Sequence, residues 1–152
     1  MSQTVSPIPA GYHTLTPYLV IDDAELEINF LQQAFGAKLE SCHRRPTGEV
    51  AHASLQVGTS KLMLGQAGGP FKALPAAIYM YVEDVDAVYH RAIAAGAKST
   101  MEPADHIYGD RGAGVEDSNG ITWWLGTHIE DVSDEELERR FAAAAQQSGG
   151  AG

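Results

Sequence analysis

Ile-Asp-Asp-Ala-Glu-Leu-Glu-Ile-Asn-Phe-Leu-Gln-Gln-Ala-Phe-Gly-Ala-Lys at residues 21–38 and Val-Glu-Asp-Val-Asp-Ala-Val-Tyr-His-Arg-Ala-Ile-Ala-Ala-Gly-Ala-Lys at residues 82–98 are one pattern used twice. Each has a β-branched residue, a pair of acids, a helix-length amphipathic run and then Gly-Ala-Lys. The interval from Asp23 to Asp84 and the interval from Gly36 to Gly96 agree to within a single position. Asp at either position can accept from the free N–H groups of a first helical turn. Gly at either end supplies the positive φ that closes a helix. Between these signals Ala24, Ile28, Leu31 and Phe35 share one face, as do Val85, Val88 and Ala92. The chain therefore predicts a strand–helix unit in duplicate.

Working outward from each copy, the pattern adds strands. Leu15–Ile21 leads into the first helix (Asp23–Phe35), and Lys38–Arg45 follows it. Glu49–Val57 alternates, with Ala51, Ala53, Leu55 and Val57 on one side and His52, Ser54 and Gln56 on the other. Gly58-Thr59-Ser60 turns the chain into a short strand at Lys61–Leu64. Gln66–Pro75 reads as a linker. The second copy predicts a strand at Ile78–Val82, a helix at Asp84–Ala95 and a strand at Lys98–Met101. A long loop at Glu102–Gly114 is expected next, then Val115–Asp117 and a last strand at Ile121–Thr127. Ser133 and Glu136 form a capping box for a C-terminal helix. The expected fold class is α+β, two β-α-β-β-β modules. Module one spans 13–66 and module two 76–130, between a loose arm at 1–12 and a C-terminal helix at 131–147. Residues 148–152 read as a disordered tail.

At 152 residues the chain can build one core without disulfides or structural metal. A net charge of −10 argues against nucleic acid or an anionic membrane as partner. The single cysteine, Cys42, has no internal disulfide partner, which fits a reducing cytoplasm. No apolar run is long enough to read as a membrane span.

The duplicated module with its Gly-Ala helix ends resembles the vicinal oxygen chelate superfamily of glyoxalases, bleomycin-resistance proteins and extradiol dioxygenases. Thr16-Pro17-Tyr18-Leu19-Val20, Tyr108-Gly109-Asp110-Arg111 and Glu116-Asp117-x-x-Gly120-x-x-Trp123 are similar to its PhnB-like branch. The resemblance implies a half-open curved barrel around a cavity, and a homodimer. In metal-using relatives two strands of each module supply the ligands, and those positions fall here on Thr16, Met63, Ala77 and Trp124. None is His, Glu or Gln, so neither a metal nor any other cofactor is expected.

Strand parity then assigns the cavity lining. Thr16, Tyr18, Tyr79, Tyr81, Met63 and Trp124 should face inward with His52 and Ser54, a surface suited to a flat, partly apolar molecule. Such residues are otherwise ordinary barrel filling. Tyr108 and Arg111 are placed at the cavity mouth, Arg111 as a grip for an anionic group. His13, His43, His90 and His128 read as solvated. The function expected is metal-free binding of a small aromatic or amphipathic molecule, the bleomycin-resistance style of drug sequestration and antibiotic resistance. The alternative is an enzyme, a lyase, isomerase or dioxygenase. It would use a relocated metal at His52 with His106 or Asp105, or His52 as catalytic base with a tyrosine. A structural dimer with a vestigial cavity is the third reading.

Overall fold

The computed structural model describes residues 4–149. Eleven elements follow one another: β1 (Tyr18–Ile21), α1 (Ala24–Phe35), β2 (Lys38–Arg44), β3 (Val50–Val57), β4 (Ser60–Gln66), β5 (Ala76–Tyr81), α2 (Val85–Ala94), β6 (Lys98–Asp105), β7 (Asp110–Glu116), β8 (Ile121–His128) and α3 (Asp134–Gly149). They build two four-stranded sheets of identical topology, β1-β4-β3-β2 and β5-β8-β7-β6. In each the first strand runs parallel to the last and the remaining pairs are antiparallel. The fold is α+β, two β-α-β-β-β modules with curved, unclosed sheets.

The duplication extends to single hydrogen bonds. Asp23 accepts from the Leu26 amide at 3.1 Å, and Asp84 from the Ala87 amide at 3.2 Å. Gln66 Oε1 accepts from the Ala24 amide and, at the same place in the second module, Thr127 Oγ1 accepts from the Val85 amide. Gly36, at φ 66°, ends α1 in the left-handed region where a side chain is disfavoured. Leu19, Ile21, Leu31, Leu55 and Leu64 bury one side of the first sheet under α1, and Val115, Ile121, Trp123 and Leu125 do so beside α2. The opposite side of each sheet stays open, as the alternation predicts.

Several boundaries differ from expectation. β1 begins at Tyr18 rather than Leu15, because Pro17 has no N–H to donate to a ladder; its carbonyl accepts from Met63 instead. The stretch expected as a long loop at Glu102–Gly114 is two strands, β6 and β7, joined by a turn at residues 106–109. Pro103 is tolerated because β6 is a sheet edge, and the ladder skips between Met101 and Ala104. In α3 the Ser133 hydroxyl accepts from the Glu136 amide as a capping box requires, but the Glu136 carboxylate turns to Arg139 and Arg140. α3 runs to Gly149, into the expected tail; residues 150–152 lie outside the described residues. Among the described residues no helix is long and apolar enough to cross a membrane.

Candidate functional site

The open sheet faces carry most of the residues that parity assigned to a cavity. On the first sheet the register sets Tyr18 beside Met63, Met63 beside Ser54 and Ser54 beside Ser41. The Ser41 and Ser54 hydroxyls bond at 2.7 Å, which satisfies a buried Ser54. The Tyr18 ring lies 5.8 Å from the His52 ring and reaches over Gly65, whose missing Cβ leaves room for the phenol.

The second sheet repeats this arrangement and adds to it. Tyr79, the counterpart of Tyr18, crosses Gly126, the counterpart of Gly65; a Cβ there would lie 2.5 Å from the Tyr79 oxygen. Trp124 sits over Gly114 in the same way. The addition is Asp110, at the start of β7 and buried. Its Oδ2 accepts from the hydroxyls of Tyr79 at 2.7 Å and Tyr81 at 2.9 Å. Its Oδ1 pairs with His128 Nδ1 at 2.9 Å, and His128 Nε2 reaches Asp131 at 2.8 Å. One carboxylate therefore fixes two tyrosines and a histidine.

The electrostatics follow from these contacts. Burial alone would raise the Asp110 carboxyl, but bonds from His128, Tyr79 and Tyr81 outweigh it and hold it below the usual range. His128 is raised by Asp131 and then by Asp110, which favours the imidazolium donating from both nitrogens. The Tyr79 phenol is pushed well up, by burial first and then by the bond to Asp110; Tyr81 rises too, chiefly through that bond. Both tyrosines are thus fixed donors rather than phenolate bases. Their rings, centroids 5.1 Å apart at 53°, remain 43% and 64% exposed. Chemically this is a stacking platform with its hydroxyls tied back.

Of the other expected residues, Arg111 and Thr16 go elsewhere and Tyr108 stands at the platform's edge. Arg111 follows Asp110 in the strand and so points to the other side, where it binds Asp86 through Nε and Nη2 and Asp105 through Nη1. Its guanidinium is engaged by two carboxylates, so it does not stand as an anion grip at the sheet face. Tyr108 stacks on His106 at 5.3 Å and 4° in the β6–β7 turn, at the edge of the platform and near enough to Tyr79 and Tyr81 to push both phenols up further. Thr16 lies ahead of β1 and lines a cleft between the modules that Tyr79 and Tyr81 also border. His128, read from sequence as solvated, is instead a member of the Asp110 network.

A divalent ion does not fit the positions that correspond to the metal ligands of relatives. Thr16 and Met63 offer a hydroxyl and a thioether, Ala77 offers nothing, and the Trp124 indole has only an N–H to donate. Among the described residues no three His, Cys, Asp or Glu side chains converge as a metal site elsewhere.

The sequence matches the Glyoxalase/Bleomycin resistance protein/Dioxygenase superfamily over residues 12–125. It is 34% identical over 147 residues to an uncharacterized protein of Mycobacterium tuberculosis H37Rv, covering 90% of this chain and 85% of that one. An uncharacterized protein of Mycobacterium bovis matches at the same identity, with 95% of its length covered. Among solved structures, TioX from Micromonospora sp. ML1 superposes with a TM-score of 0.67 at 25% identity, over 77% of this chain and 99% of TioX. A PhnB protein from Bacillus cereus shares the fold with a TM-score of 0.62 at 22% identity, over 76% of this chain and 99% of that chain.

Proposed function

Because this chain belongs to the glyoxalase/bleomycin resistance protein/dioxygenase superfamily, we propose that it is a metal-free binding member of it. It holds a small aromatic or amphipathic organic molecule against the open sheet face, in the manner of drug sequestration. The observation that carries this reading is the Asp110 network, which immobilises Tyr79 and Tyr81 while leaving their ring faces free. A rigid aromatic platform loses little entropy on binding, and a flat ligand gains stacking on top of area burial. The enzymatic alternative is weaker, since raised tyrosine phenols are poor bases near neutrality. The single cysteine keeps the cytoplasm as the compartment proposed.

The test is fluorescence titration with a panel of planar aromatic compounds, using Trp124 as the reporter beside Tyr79. Quenching is expected for some of the panel, with affinity falling about three- to tenfold in Tyr81→Ala, the range of one aromatic contact. Asp110→Ala should weaken binding in the same direction, because it removes the acceptor that holds both hydroxyls. Emission unchanged across the panel, or binding indifferent to both substitutions, would remove the proposal.

We also propose a homodimer. Tyr18, Tyr79 and Tyr81 are large aromatic side chains left exposed on the open faces, and exposed apolar surface is what an interface or a ligand site covers. Light scattering should return twice the mass of one chain; a single-chain mass at micromolar concentration would refute it.

A further inference from the structure

The duplication brings the β-hairpin tip of each module to the helix start of the other, and the two junctions are filled differently. At the first, Asn119 in the β7–β8 turn donates to the Asp23 carbonyl and to Glu27, and accepts from the Asp23 amide. Asp117 and Trp123 pack behind it. Shifted by the interval that separates Asp23 from Asp84, the equivalent positions are Gly58 for Asn119, Val88 for Glu27, Gln56 for Asp117 and Leu62 for Trp123. None of these can rebuild the polar clamp. Covering differs as well. The linker after β4 bonds along β1 through the Ala67 and Leu74 amides. Leu19 and Ile21 are buried there, whereas their equivalents Met80 and Val82 at β5 are only half-buried.

The second junction is accordingly an open cleft of about 870 Å³, within the roughly 300–1,000 Å³ of small-molecule sites. It lies between the β3–β4 hairpin, the free edge of β5 and α2, and its floor includes Phe35, Leu62, Met80, Val88 and Trp123. Two cations line it. Lys61 is engaged by Glu40, while Arg91 has no ion pair among the described residues. The acids of the lining, Glu83 and Asp84, stand at the start of α2, and Asp84 already accepts from the Ala87 amide. Arg91 lies two helical turns further along, about 10 Å up the helix axis. That exceeds a Debye length of about 8 Å at physiological salt, so the acids and the overall negative charge are largely screened from it.

We propose that this cleft is a second binding site, taking an elongated apolar molecule that ends in a carboxylate, with the carboxylate at Arg91. The cleft meets the sheet face at the edge of β5, where Tyr79 and Tyr81 also line it, but its distinguishing residues, Arg91, Val88 and Trp123, lie on the helix side of that strand.

Titrations in a Trp124→Phe background leave Trp123, in the cleft floor, as the only tryptophan and reduce the aromatic surface of the sheet face. Naphthalene-2-carboxylate should quench Trp123, and naphthalene-2-carboxamide should bind about five- to tenfold more weakly, as for loss of one hydrogen bond to a charged group. Arg91→Gln should abolish that preference, and Ala87→Phe should block both probes by filling the cleft. Both residues are exposed, so circular dichroism should be unchanged. Equal affinity for acid and amide, indifference to Ala87→Phe, or no quenching at all would each overturn the proposal. Asp110→Ala separates the two sites, because Asp110 does not line the cleft: it should weaken the sheet-face panel and leave the Arg91-dependent preference for acid over amide in place, so either site can fail alone.

Discussion

Asp117→Ala is expected to lower the stability of the fold by about 3–5 kcal/mol, a large effect for a single polar substitution. Asp117 is buried, and three donors converge on it: the Trp123 indole at 2.9 Å on Oδ2, and the Ile121 and Asn119 amides at 3.0 and 2.9 Å on Oδ1. Alanine leaves all three without an acceptor. A buried donor left unsatisfied costs about 1–3 kcal/mol each, and the turn amide of Asn119 recovers part of this from water. The damage also reaches module one, because Asn119 is the residue that clamps the start of α1. Asp117→Asn should recover little, since its NH₂ would confront either the indole N–H or the two amides. Urea denaturation followed by tryptophan emission reads this directly. A loss below about 1 kcal/mol would mean that the turn is held by something other than Asp117.

Much of the scaffold was legible because each helix announces itself locally. Asp23 and Gly36, or Asp84 and Gly96, bracket an apolar stripe whose period needs no tertiary information. The open-face tyrosines were legible for the same reason, through alternation along β1 and β5. What escaped depends on contacts distant in sequence. Gly112-Ala113-Gly114 looks like a loop, yet it is strand: Gly114 seats Trp124 and Gly112 lies under His106. The Asp110 network joins residues 18 to 31 positions apart, so no local motif contains it. A signal did exist, since alternation from Gly114 through Gly112 places Asp110 on the open face and Arg111 opposite. Glu27 was missed because a helical acid reads as solvated. Comparison with Val88, its apolar counterpart in the second module, would have marked the position as interior.

Glu27→Gln is expected to gain stability relative to the parent protein as pH rises, by a few kcal/mol between mild acid and pH 9. Glu27 is 1% exposed, and its Oε1 accepts from Asn119 at 3.0 Å. Its Oε2 is buried with no donor to receive. Protonation resolves this, because a neutral carboxyl can donate to Asp117. Burial first, then the hydrogen bond and charge of Asp117, push Glu27 from 4.5 up to about 9, against an opposing bond from Asn119. Below pH 4.5 both the folded and the unfolded chain hold the proton, and nothing is lost. Between 4.5 and about 9 only the folded chain holds it, so stability falls with rising pH, by at most about 1.4 kcal/mol per unit for one proton. Above about 9 the loss levels off. Glutamine copies the protonated form permanently, its carbonyl accepting from Asn119 and its NH₂ donating to Asp117. The two proteins should therefore be close in stability at pH 5, with the variant the more stable at pH 8–9. Depressed carboxyls such as Glu136, lowered by Arg139 and Arg140, make the fold sensitive to acid in both proteins and cancel in the difference. Urea midpoints at pH 5, 7 and 9 decide the matter: curves that stay parallel would mean that Glu27 is already ionised in the fold.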